Sequence, residues 1–330
     1  MLPILLIIGA FGGVLIALVV QRRWRRARGI AAGLLVSYVT ILVLLGGIEA
    51  YLRFGYAESE NVITLATQNW LARYWHTNAL GYRDRDWTPA DWAGKQTVMV
   101  VGDSFAAGWG IENTADRFPD VLAAHLGDDY ALINIAQYGT ATPEQLEMLR
   151  AHPLQDPDIV ILQYFLNDIS YAGLSLGLLP TPDPLPAWAN ESAIGNLLYT
   201  RLLASWVRAD DWWQWNYDAY DNVGIWSVHE REIDAFIDYT ESIGARLIVV
   251  IFPNLLDPVR SVAYIDRVAQ VFEARGHTDV LKLFDAAAAW SPAELMVSAR
   301  DTHPSIAFHQ YVGDTLYDLY FAPDNPTDGT

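Results

Sequence analysis

The sequence predicts an α/β protein in which helices cover both faces of a parallel sheet. Five short and almost wholly apolar segments are typical of buried strands, and they lie at 97–101, 131–136, 159–165, 246–252 and 280–284. Helical patterns come between these segments or after the last one, at 117–126, 143–152, 227–243, 262–275 and 306–320. This alternation predicts parallel strands joined by right-handed crossovers.

The N-terminal segment predicts a membrane anchor. Residues 2–20 and 29–48 carry no charge, and each run is long enough to cross a hydrocarbon core of about 30 Å as a helix. Five arginines within 21–28 separate the two runs, and arginine favours the cytoplasmic side. We therefore expect a hairpin at 1–56, with transmembrane helices at about 2–20 and 29–50, and the rest of the chain outside the cytoplasmic membrane. A cleaved signal peptide fits poorly because the positive charges follow the apolar run; two buried core helices are the alternative.

Residues 57–96 are expected to connect this anchor to a larger domain at 97–330. Glu49 and Arg53 lie one helical turn apart at the exit of the second span and can pair there. An insertion at about 172–222 interrupts the alternation and is rich in proline and aromatic residues: Pro180, Pro182, Pro184, Pro186, Trp188, Tyr199, Trp206, Trp212, Trp213, Trp215, Tyr217 and Tyr220. Its rings could stack on sugars, line an acyl pocket or lie at a membrane interface, and a small satellite core is an equal alternative.

Charge and composition narrow the range of partners. The formal net charge is −18, and six of the 21 basic residues but only one of the 39 acidic residues lie in the first 56 positions. The remaining domain is therefore strongly acidic and would repel phosphate backbones, so we expect no nucleic-acid partner. The chain has no cysteine, which excludes disulfides, thiolate catalysis and cysteine-ligated zinc.

The first predicted strand ends in a candidate nucleophile. Residues 98–108 have the sequence VMVVGDSFAAG, so Ser104 lies on the turn that leaves the strand. Ligands of open α/β sheets bind at the carboxyl ends of strands, and a serine there can act as a nucleophile if a histidine reaches it. A helix cap is the alternative role for this serine. The neighbouring Asp103 is expected to hold the turn.

Four further residues follow strands of the same predicted sheet. His303, one of seven histidines, lies between the last strand and the final helix, and Asp301 precedes it by two residues. A carboxylate in that position can orient an imidazole and stabilise its protonated form, although a turn aspartate beside a surface histidine is the alternative. Gly139 and Asn167 follow the second and third strands, and a backbone N–H and a side-chain amide are suitable donors to an oxyanion.

Four sequence blocks in this order resemble those of the SGNH hydrolases, also called GDSL-like lipases or acylhydrolases. The resemblance covers roughly 97–320 without the insertion. The matching blocks are Gly102-Asp103-Ser104-Phe105, the glycine at Gly139, Asn167-Asp168, and Asp301-Thr302-His303-Pro304.

Two positions depart from the family pattern. Phe165 stands where the family usually has glycine. Only Thr302 separates Asp301 from His303, so Arg300 occupies the usual aspartate position. Residues 78–84 also resemble a segment of membrane-anchored members, from which we expect Arg83 to pack near the site or against the domain.

The resemblance implies a flavodoxin-like three-layer sandwich with a five-stranded parallel sheet, and a two-step acyl transfer. Ser104 would be the nucleophile, His303 its base and Asp301 the partner of that base. The backbone N–H groups of Ser104 and Gly139 and the side chain of Asn167 would hold the oxyanion. No metal and no organic cofactor is implied.

The expected function is that of a membrane-anchored, bacterial-type serine esterase whose catalytic domain lies on the extracytoplasmic side of the cytoplasmic membrane. Its expected substrates are O-acyl esters, foremost O-acetyl esters, of a glycan or a lipid. An O-acyltransferase for a surface polysaccharide is one alternative. An inactive scaffold of an export or acylation complex is another, with a membrane acyltransferase or export protein as partner.

Overall fold

The computed structural model describes residues 2–21, 25–180, 185–203 and 209–323. These residues form two compact units. The first takes its described residues from Met1–Glu58, Val62–Asn69 and Pro182–Arg208, and the second takes them from Ser59–Asn61, Trp70–Thr181 and Ala209–Thr330. The short segment Ser59–Asn61 thus belongs to the second unit although its neighbours in the chain belong to the first.

The described residues contain the predicted alternation of strands and helices. The strands are β1 (Gln96–Val101), β2 (Tyr130–Asn134), β3 (Ile159–Phe165), β4 (Arg246–Phe252) and β5 (Val280–Lys282). The helices are α1 (Leu2–Val20), α2 (Arg25–Ala50), α3 (Leu65–Tyr74), α4 (Pro89–Trp92), α5 (Ser104–Ala107), α6 (Phe118–Leu126), α7 (Thr142–Ala151), α8 (Ser170–Ser175), α9 (Ala187–Glu191), α10 (Ala193–Leu198), α11 (Ala209–Asp221), α12 (Val223–Ser242), α13 (Pro258–Ala274), α14 (Phe284–Ala289), α15 (Pro292–Leu295) and α16 (Ile306–Tyr320).

Helices α12 and α13 each begin four residues before the predicted start. Their caps explain the difference. Asn222 Oδ1 accepts hydrogen bonds from two N–H groups in the first turn of α12, and Asp257 Oδ1 accepts from the Arg260 N–H in α13. Pro258 follows Asp257 at the first helical position, where the missing N–H costs nothing.

The sheet of the second unit has the order β2-β1-β3-β4-β5, and all its strands are parallel. From β1 the chain moves outward to β2 and then returns to the opposite side of β1 to form β3. The strand order therefore reverses between β1 and β3, and ligands of such sheets bind in the crevice at the carboxyl ends of the strands at this point.

Helices cover both faces of this sheet, as predicted. On one face, Met99 and Val101 of β1 lie in a core with apolar residues of α7, α12 and α13. On the other face, Val98 and Val100 lie in a core with apolar residues of α6 and α16. The α/β class and the five-stranded parallel sheet predicted from the sequence are confirmed.

In the first unit, α1 and α2 pack against each other. The Tyr38 hydroxyl donates to the Ile8 carbonyl at 2.6 Å, and the Phe11 ring packs edge-on against Tyr38. Among the described residues, one helix, Arg26–Gly55, is long and apolar enough to cross a membrane, whereas the apolar helix Ile8–Val20 is shorter. The expectation of two spanning helices is thus met by one candidate among the described residues and not by two.

The described part of the predicted insertion divides between the two units. Residues 185–203, with α9 and α10, belong to the first unit, whereas α8 and α11 belong to the second. Tyr217 and Tyr220 of α11 lie in the core beside α12 and α13. Pro182, Pro184 and Trp206 lie outside the described residues.

Candidate active site

Ser104 opens helix α5 from a turn that lies directly against β3. Gly102 passes so close to β3 that a Cβ atom there would lie 2.5 Å from Gln163 Oε1. Gln163 Oε1 accepts hydrogen bonds from the N–H groups of Asp103 at 3.0 Å and Ala106 at 3.1 Å. Asp103 Oδ1 caps α5 by accepting from the backbone N–H two residues on, at 2.8 Å. These contacts hold Ser104 at the carboxyl end of β1, where the strand order reverses.

Asp301 and His303 lie on a closed loop between α15 and α16. Met296 pairs with Pro304 across the base of this loop. His303 Nδ1 lies 2.5 Å from Asp301 Oδ1, and His303 Nε2 lies 2.9 Å from Ser104 Oγ. The structure therefore brings the three residues into one chain of hydrogen bonds, in the order that a nucleophile, its base and the partner of that base require.

Asp301 is fully buried, and its surroundings nevertheless favour the ionised form. Burial alone would raise the pKa of Asp301, but the charge and hydrogen bonds of His303 and the Ser59 side chain outweigh burial, so its pKa lies below the usual value. Gly110, with a φ of +82°, packs so closely that a Cβ atom there would lie 2.7 Å from Asp301 Oδ2. An ionised Asp301 favours the proton on His303 Nδ1, which leaves Nε2 free to accept from serine.

Residues 59–61, which the sequence analysis did not single out, brace this loop. Asn61 Oδ1 accepts from the Thr302 N–H at 2.8 Å and from the Thr302 hydroxyl at 3.1 Å, and the Asn61 N–H donates to the Arg300 carbonyl at 2.9 Å. The Glu60 carbonyl accepts from Trp109 Nε1 at 3.0 Å. No motif marks this segment in the sequence, so its contact with the loop is visible only in the fold.

The two predicted oxyanion donors lie on segments that border the serine turn. Gly139 is in the loop after β2, where the Gln137 N–H and the Thr140 hydroxyl both donate to the Gly102 carbonyl, at 3.1 and 3.3 Å. Asn167 lies in the 3₁₀ turn Leu166–Ile169 that follows β3, and its side chain is close enough to the Asp103 carboxyl group to lower the pKa of that group. An amide nitrogen carries two hydrogens, so this contact leaves a second donor for an oxyanion.

Asp103 and Asp168 form a buried carboxyl pair beneath the serine turn. Burial raises the pKa of Asp103 to about 6. Burial and the charge of Asp103 together raise the pKa of Asp168 well above its usual value. Asp168 also accepts from the Thr142 hydroxyl and from Gln145 Nε2, both at 3.3 Å. Burial therefore favours the protonated form of Asp168. Asp103 supports the turn, and Asp301 contacts the imidazole.

Arg83 packs against the catalytic domain, as the resemblance of residues 78–84 led us to expect. Its guanidinium is buried and donates to the carbonyls of Gly108 and Ile111, each at 2.6 Å, and of Tyr74 at 3.0 Å. Burial, with the neighbouring charge of Arg117, lowers the pKa of Arg83 to about 10. Arg83 therefore stabilises the chain that leaves α5 and does not contact the reacting groups.

Two clusters of aromatic rings border the catalytic residues. On one side the Trp109 ring lies 5.8 Å from the His303 ring, and Tyr138 lies 5.0 Å from Trp109 and 5.2 Å from Trp75. On the other side lie Phe105, Phe165 and Trp213, with centroids 4.0 Å apart between Phe105 and Phe165 and 5.5 Å apart between Phe165 and Trp213. Trp213 is the contribution of the predicted insertion to these clusters.

A family model described as the GDSL-like lipase/acylhydrolase family matches residues 100–311, which include all five predicted site positions. The chain belongs to this family. Similar solved structures include TesA, at 17% identity and a TM-score of 0.42, with 68% of this chain and 97% of that chain covered. The psychrotrophic esterase EstA from Pseudoalteromonas sp., inhibited by monoethylphosphonate, is 16% identical with a TM-score of 0.42, and the coverage is 68% and 96%. The lipase/acylhydrolase from Enterococcus faecalis is 18% identical with a TM-score of 0.41, and the coverage is 68% and 94%. No curated protein matches the chain.

Membership in the GDSL-like family places the chain among hydrolases that act on esters. The unusual spacing of the last block does not separate its residues, because the short loop still brings Asp301 Oδ1 to His303 Nδ1 at 2.5 Å. Arg300, in the usual aspartate position, is exposed. Phe165, in the usual glycine position, lies buried against Phe105.

Proposed function

We propose that this GDSL-like acylhydrolase is a membrane-anchored serine esterase that removes short acyl groups, foremost acetyl, from glycans outside the cytoplasmic membrane. The observation that carries the proposal is the hydrogen-bond chain from Ser104 Oγ through His303 to Asp301, with distances of 2.9 and 2.5 Å. The chemistry needs no metal or organic cofactor, since nucleophile, base and oxyanion donors are all side-chain or backbone groups of this chain.

The reaction proceeds in two steps. His303 Nε2 takes the proton of Ser104 Oγ as that oxygen attacks the ester carbonyl, and the protonated imidazole then gives the proton to the leaving alcohol. Asp301 stabilises the imidazolium through Nδ1. In the second step His303 takes a proton from water, the hydroxide attacks the acyl-enzyme, and the released Ser104 oxygen recovers the proton from His303.

The oxyanion of each tetrahedral intermediate accepts from the N–H groups of Ser104 and Gly139 and from the Asn167 amide. Removal of one such donor typically lowers kcat by about 10²–10³. The contact between Asn167 and Asp103 supports this role, because it orients the amide beside the serine turn.

The surroundings of Ser104 support a short acyl group on a sugar. Phe165 fills the position where the family pattern usually has glycine, which reduces the space beside Phe105 for a long acyl chain. On the opposite side Tyr138, which directly precedes Gly139 in the loop after β2, is 44% exposed. Exposed aromatic rings beside a catalytic serine can stack on the apolar face of a sugar ring. A lipid ester is the other substrate class that an apolar wall accommodates.

Anchoring completes the proposal. The α1–α2 hairpin would span the membrane twice, with the five arginines of 21–28 on the cytoplasmic side. The catalytic unit would then face an extracytoplasmic glycan. An O-acyltransferase that works with a membrane acyltransferase or export partner is the second candidate, because an acyl-enzyme in the same site could pass its acyl group to a sugar hydroxyl. Products must therefore be identified as well as rates.

The test uses a fluorophosphonate probe, which reacts with activated serines, together with hydrolysis of an acetylated glycan. Wild-type protein should be labelled, and both labelling and acetate release should be lost in Ser104→Ala and His303→Ala. Ser227→Ala is the matched control, because the Ser227 hydroxyl donates only to a carbonyl of its own helix. Equal labelling of Ser104→Ala and wild type would refute the assignment, and acetylated acceptor in place of free acetate would show a transferase.

A further inference from the structure

A group of large apolar side chains is exposed in the first unit, in the turn Tyr51–Gly55 directly after α2 and in the segment 187–203. Their exposed fractions are 61% for Tyr51, 74% for Phe54, 45% for Trp188, 48% for Leu198 and 64% for Leu202. Single exposed apolar residues are ordinary on soluble proteins, whereas several on one small unit mark an interaction surface. We call these five side chains the apolar rim.

The segment 187–203 is fastened to the end of α2 by charge-assisted hydrogen bonds. Glu49 of α2 accepts from the backbone N–H groups of Ala193 at 2.7 Å and Ile194 at 2.9 Å, and from the Ser192 hydroxyl at 2.9 Å. Its carboxylate thereby satisfies the free N–H groups at the start of α10, which otherwise would need a cap of their own. These bonds keep the segment 187–203 next to the end of α2.

The charges in this region are compensated within the unit. Arg53 Nη2 donates to Glu49 Oε1 at 2.7 Å and to the Glu191 carbonyl at 2.9 Å. Arg201 Nη2 lies 3.6 Å from Glu58 Oε2. Glu191 and Arg201 are the only charged residues between 187 and 203. Residues 187–203 can therefore enter a region of reduced polarity at a small cost in free energy, because little unpaired charge loses its hydration there.

The length of α2 places this fastening at a defined depth. Glu49 follows Arg26 by 23 residues in the sequence, which corresponds to about 35 Å of helix at about 1.5 Å per residue. A hydrocarbon core is about 30 Å thick. With Arg26 at the cytoplasmic surface, Glu49 lies just beyond the hydrocarbon at the opposite surface, in the layer that tryptophan and tyrosine favour.

We propose that residues 187–203 form a second membrane contact, in which the apolar rim rests in the interfacial layer of the bilayer at the outer end of α2. The occupant of this surface is lipid, and the segment is not part of a sugar-binding insertion. The proposal rests on the membrane anchoring proposed above, but it is independent of the catalytic assignment. It adds a contact that orients the chain at the outer end of α2.

The absence of cysteine makes the full-length chain a direct template for single-cysteine labelling. Trp188→Cys, Leu198→Cys and Leu202→Cys are each labelled with an environment-sensitive NBD maleimide and reconstituted in vesicles of phosphatidylethanolamine and phosphatidylglycerol. Two reference positions accompany them, Val39→Cys in the middle of α2 and Asp128→Cys in an exposed acidic turn of the second unit. Quenching is measured with lipids that carry a nitroxide at a shallow or a deep position, and with aqueous iodide.

The three rim labels should emit at shorter wavelength than the label at 128, with several-fold weaker quenching by iodide. Shallow nitroxide should quench them more than deep nitroxide, whereas the label at 39 should show the opposite order. Rim labels that match the label at 128 would overturn the proposal, because vesicles without other proteins leave lipid as the sole occupant. If the label at 39 also behaves as aqueous, the anchoring itself fails. Fluorophosphonate labelling of Ser104 in the same samples reports the catalytic assignment separately.

Discussion

At the scale of single residues, Phe165 is the position where this chain replaces a small family residue by a large one beside the nucleophile. Its ring is buried between Phe105 and Trp213. Phe165→Ala should open space there and raise the ratio of kcat/KM for p-nitrophenyl octanoate over acetate. Each further buried CH₂ contributes about 0.8 kcal/mol, so burial of about two of them raises the ratio roughly tenfold.

The control for Phe165 is Phe321→Ala, whose ring packs on Tyr130 outside both aromatic clusters. That variant should leave the octanoate-to-acetate ratio unchanged. If Phe165→Ala also leaves the ratio unchanged, Phe165 does not limit the acyl chain, and the preference for acetyl loses its structural support.

His309 is a buried residue with a pH-dependent effect on stability. Its Nδ1 accepts from the Phe118 N–H at the start of α6, and burial, reinforced by the nearby charges of Arg117, His303 and Arg83, lowers its pKa from 6.5 to about 3. Between these values the unfolded chain binds a proton that the folded chain does not, so stability falls as the pH falls below 6.5. Asp103 has a pKa raised to about 6, so its titration increases stability as the pH falls from 6 to 4. A variant at position 309 is therefore needed to measure the contribution of His309 alone.

His309→Asn keeps an acceptor for the Phe118 N–H and removes the titration. The variant should be less stable than wild type at pH 7, where packing is lost, and the difference should shrink by about 2 kcal/mol on going to pH 5. Urea unfolding of the detergent-solubilised proteins at both pH values measures this. A difference that stays constant with pH would show that His309 does not remain neutral in the folded state.

At the scale of elements, the strands were predictable because each is a continuous apolar run, and only burial on both faces of a parallel sheet explains such runs. Ser104 and Asn167 could be placed together because they follow β1 and β3, whose carboxyl ends meet where the strand order reverses. The edge strand β5, with three residues, is shorter than predicted because it pairs with β4 alone.

The residues around the catalytic loop could not be predicted in the same way. The contacts of Asn61 with Thr302 and of Gly110 with Asp301 join residues that are far apart in the sequence, and no periodicity or motif relates them. The division of the insertion was hidden for the same reason, because aromatic composition does not tell whether a ring packs on a core or faces solvent. Local patterns determine strands, whereas long-range contacts determine how the site is braced.

Asn61→Ala tests the bracing of the catalytic loop. The variant removes the acceptor for both the N–H and the hydroxyl of Thr302, next to His303. A small displacement of a catalytic base lowers the rate strongly, so kcat should fall by about ten- to a hundredfold with little change in KM. Steady-state kinetics and the melting temperature are measured together.

The matched control is Asn113→Ala, which removes a similar exposed cap, the bond from the Ala115 N–H to Asn113 Oδ1. It should change neither kcat nor KM. The bracing role is excluded if both asparagine variants lose activity in parallel with their melting temperatures, because the effect would then be one of general stability.

At the scale of the whole molecule, charge separates an apolar, arginine-bearing N-terminal segment from an acidic remainder. This asymmetry suits a chain held in a membrane with its catalytic unit in water, since like charges on that unit favour solubility. The two compact units follow the same division, except that residues 187–203 return to the first and 59–61 join the second. Sequence order alone does not reveal these exchanges.

The orientation of the chain is the property of the whole molecule that the arginines predict. Arginine-rich loops stay on the cytoplasmic side, so Gln21 should face the cytoplasm and Asp128 the opposite side. Single-cysteine variants are expressed in cells that are converted to spheroplasts. A membrane-impermeant maleimide should label Asp128→Cys in intact spheroplasts and Gln21→Cys only after lysis. Gln21 and Asp128 are both exposed, so burial does not limit either reaction. The reverse pattern would place the esterase site in the cytoplasm and exclude extracytoplasmic glycans as its substrates. Labelling of both positions in intact spheroplasts would show that the second apolar run does not span the membrane.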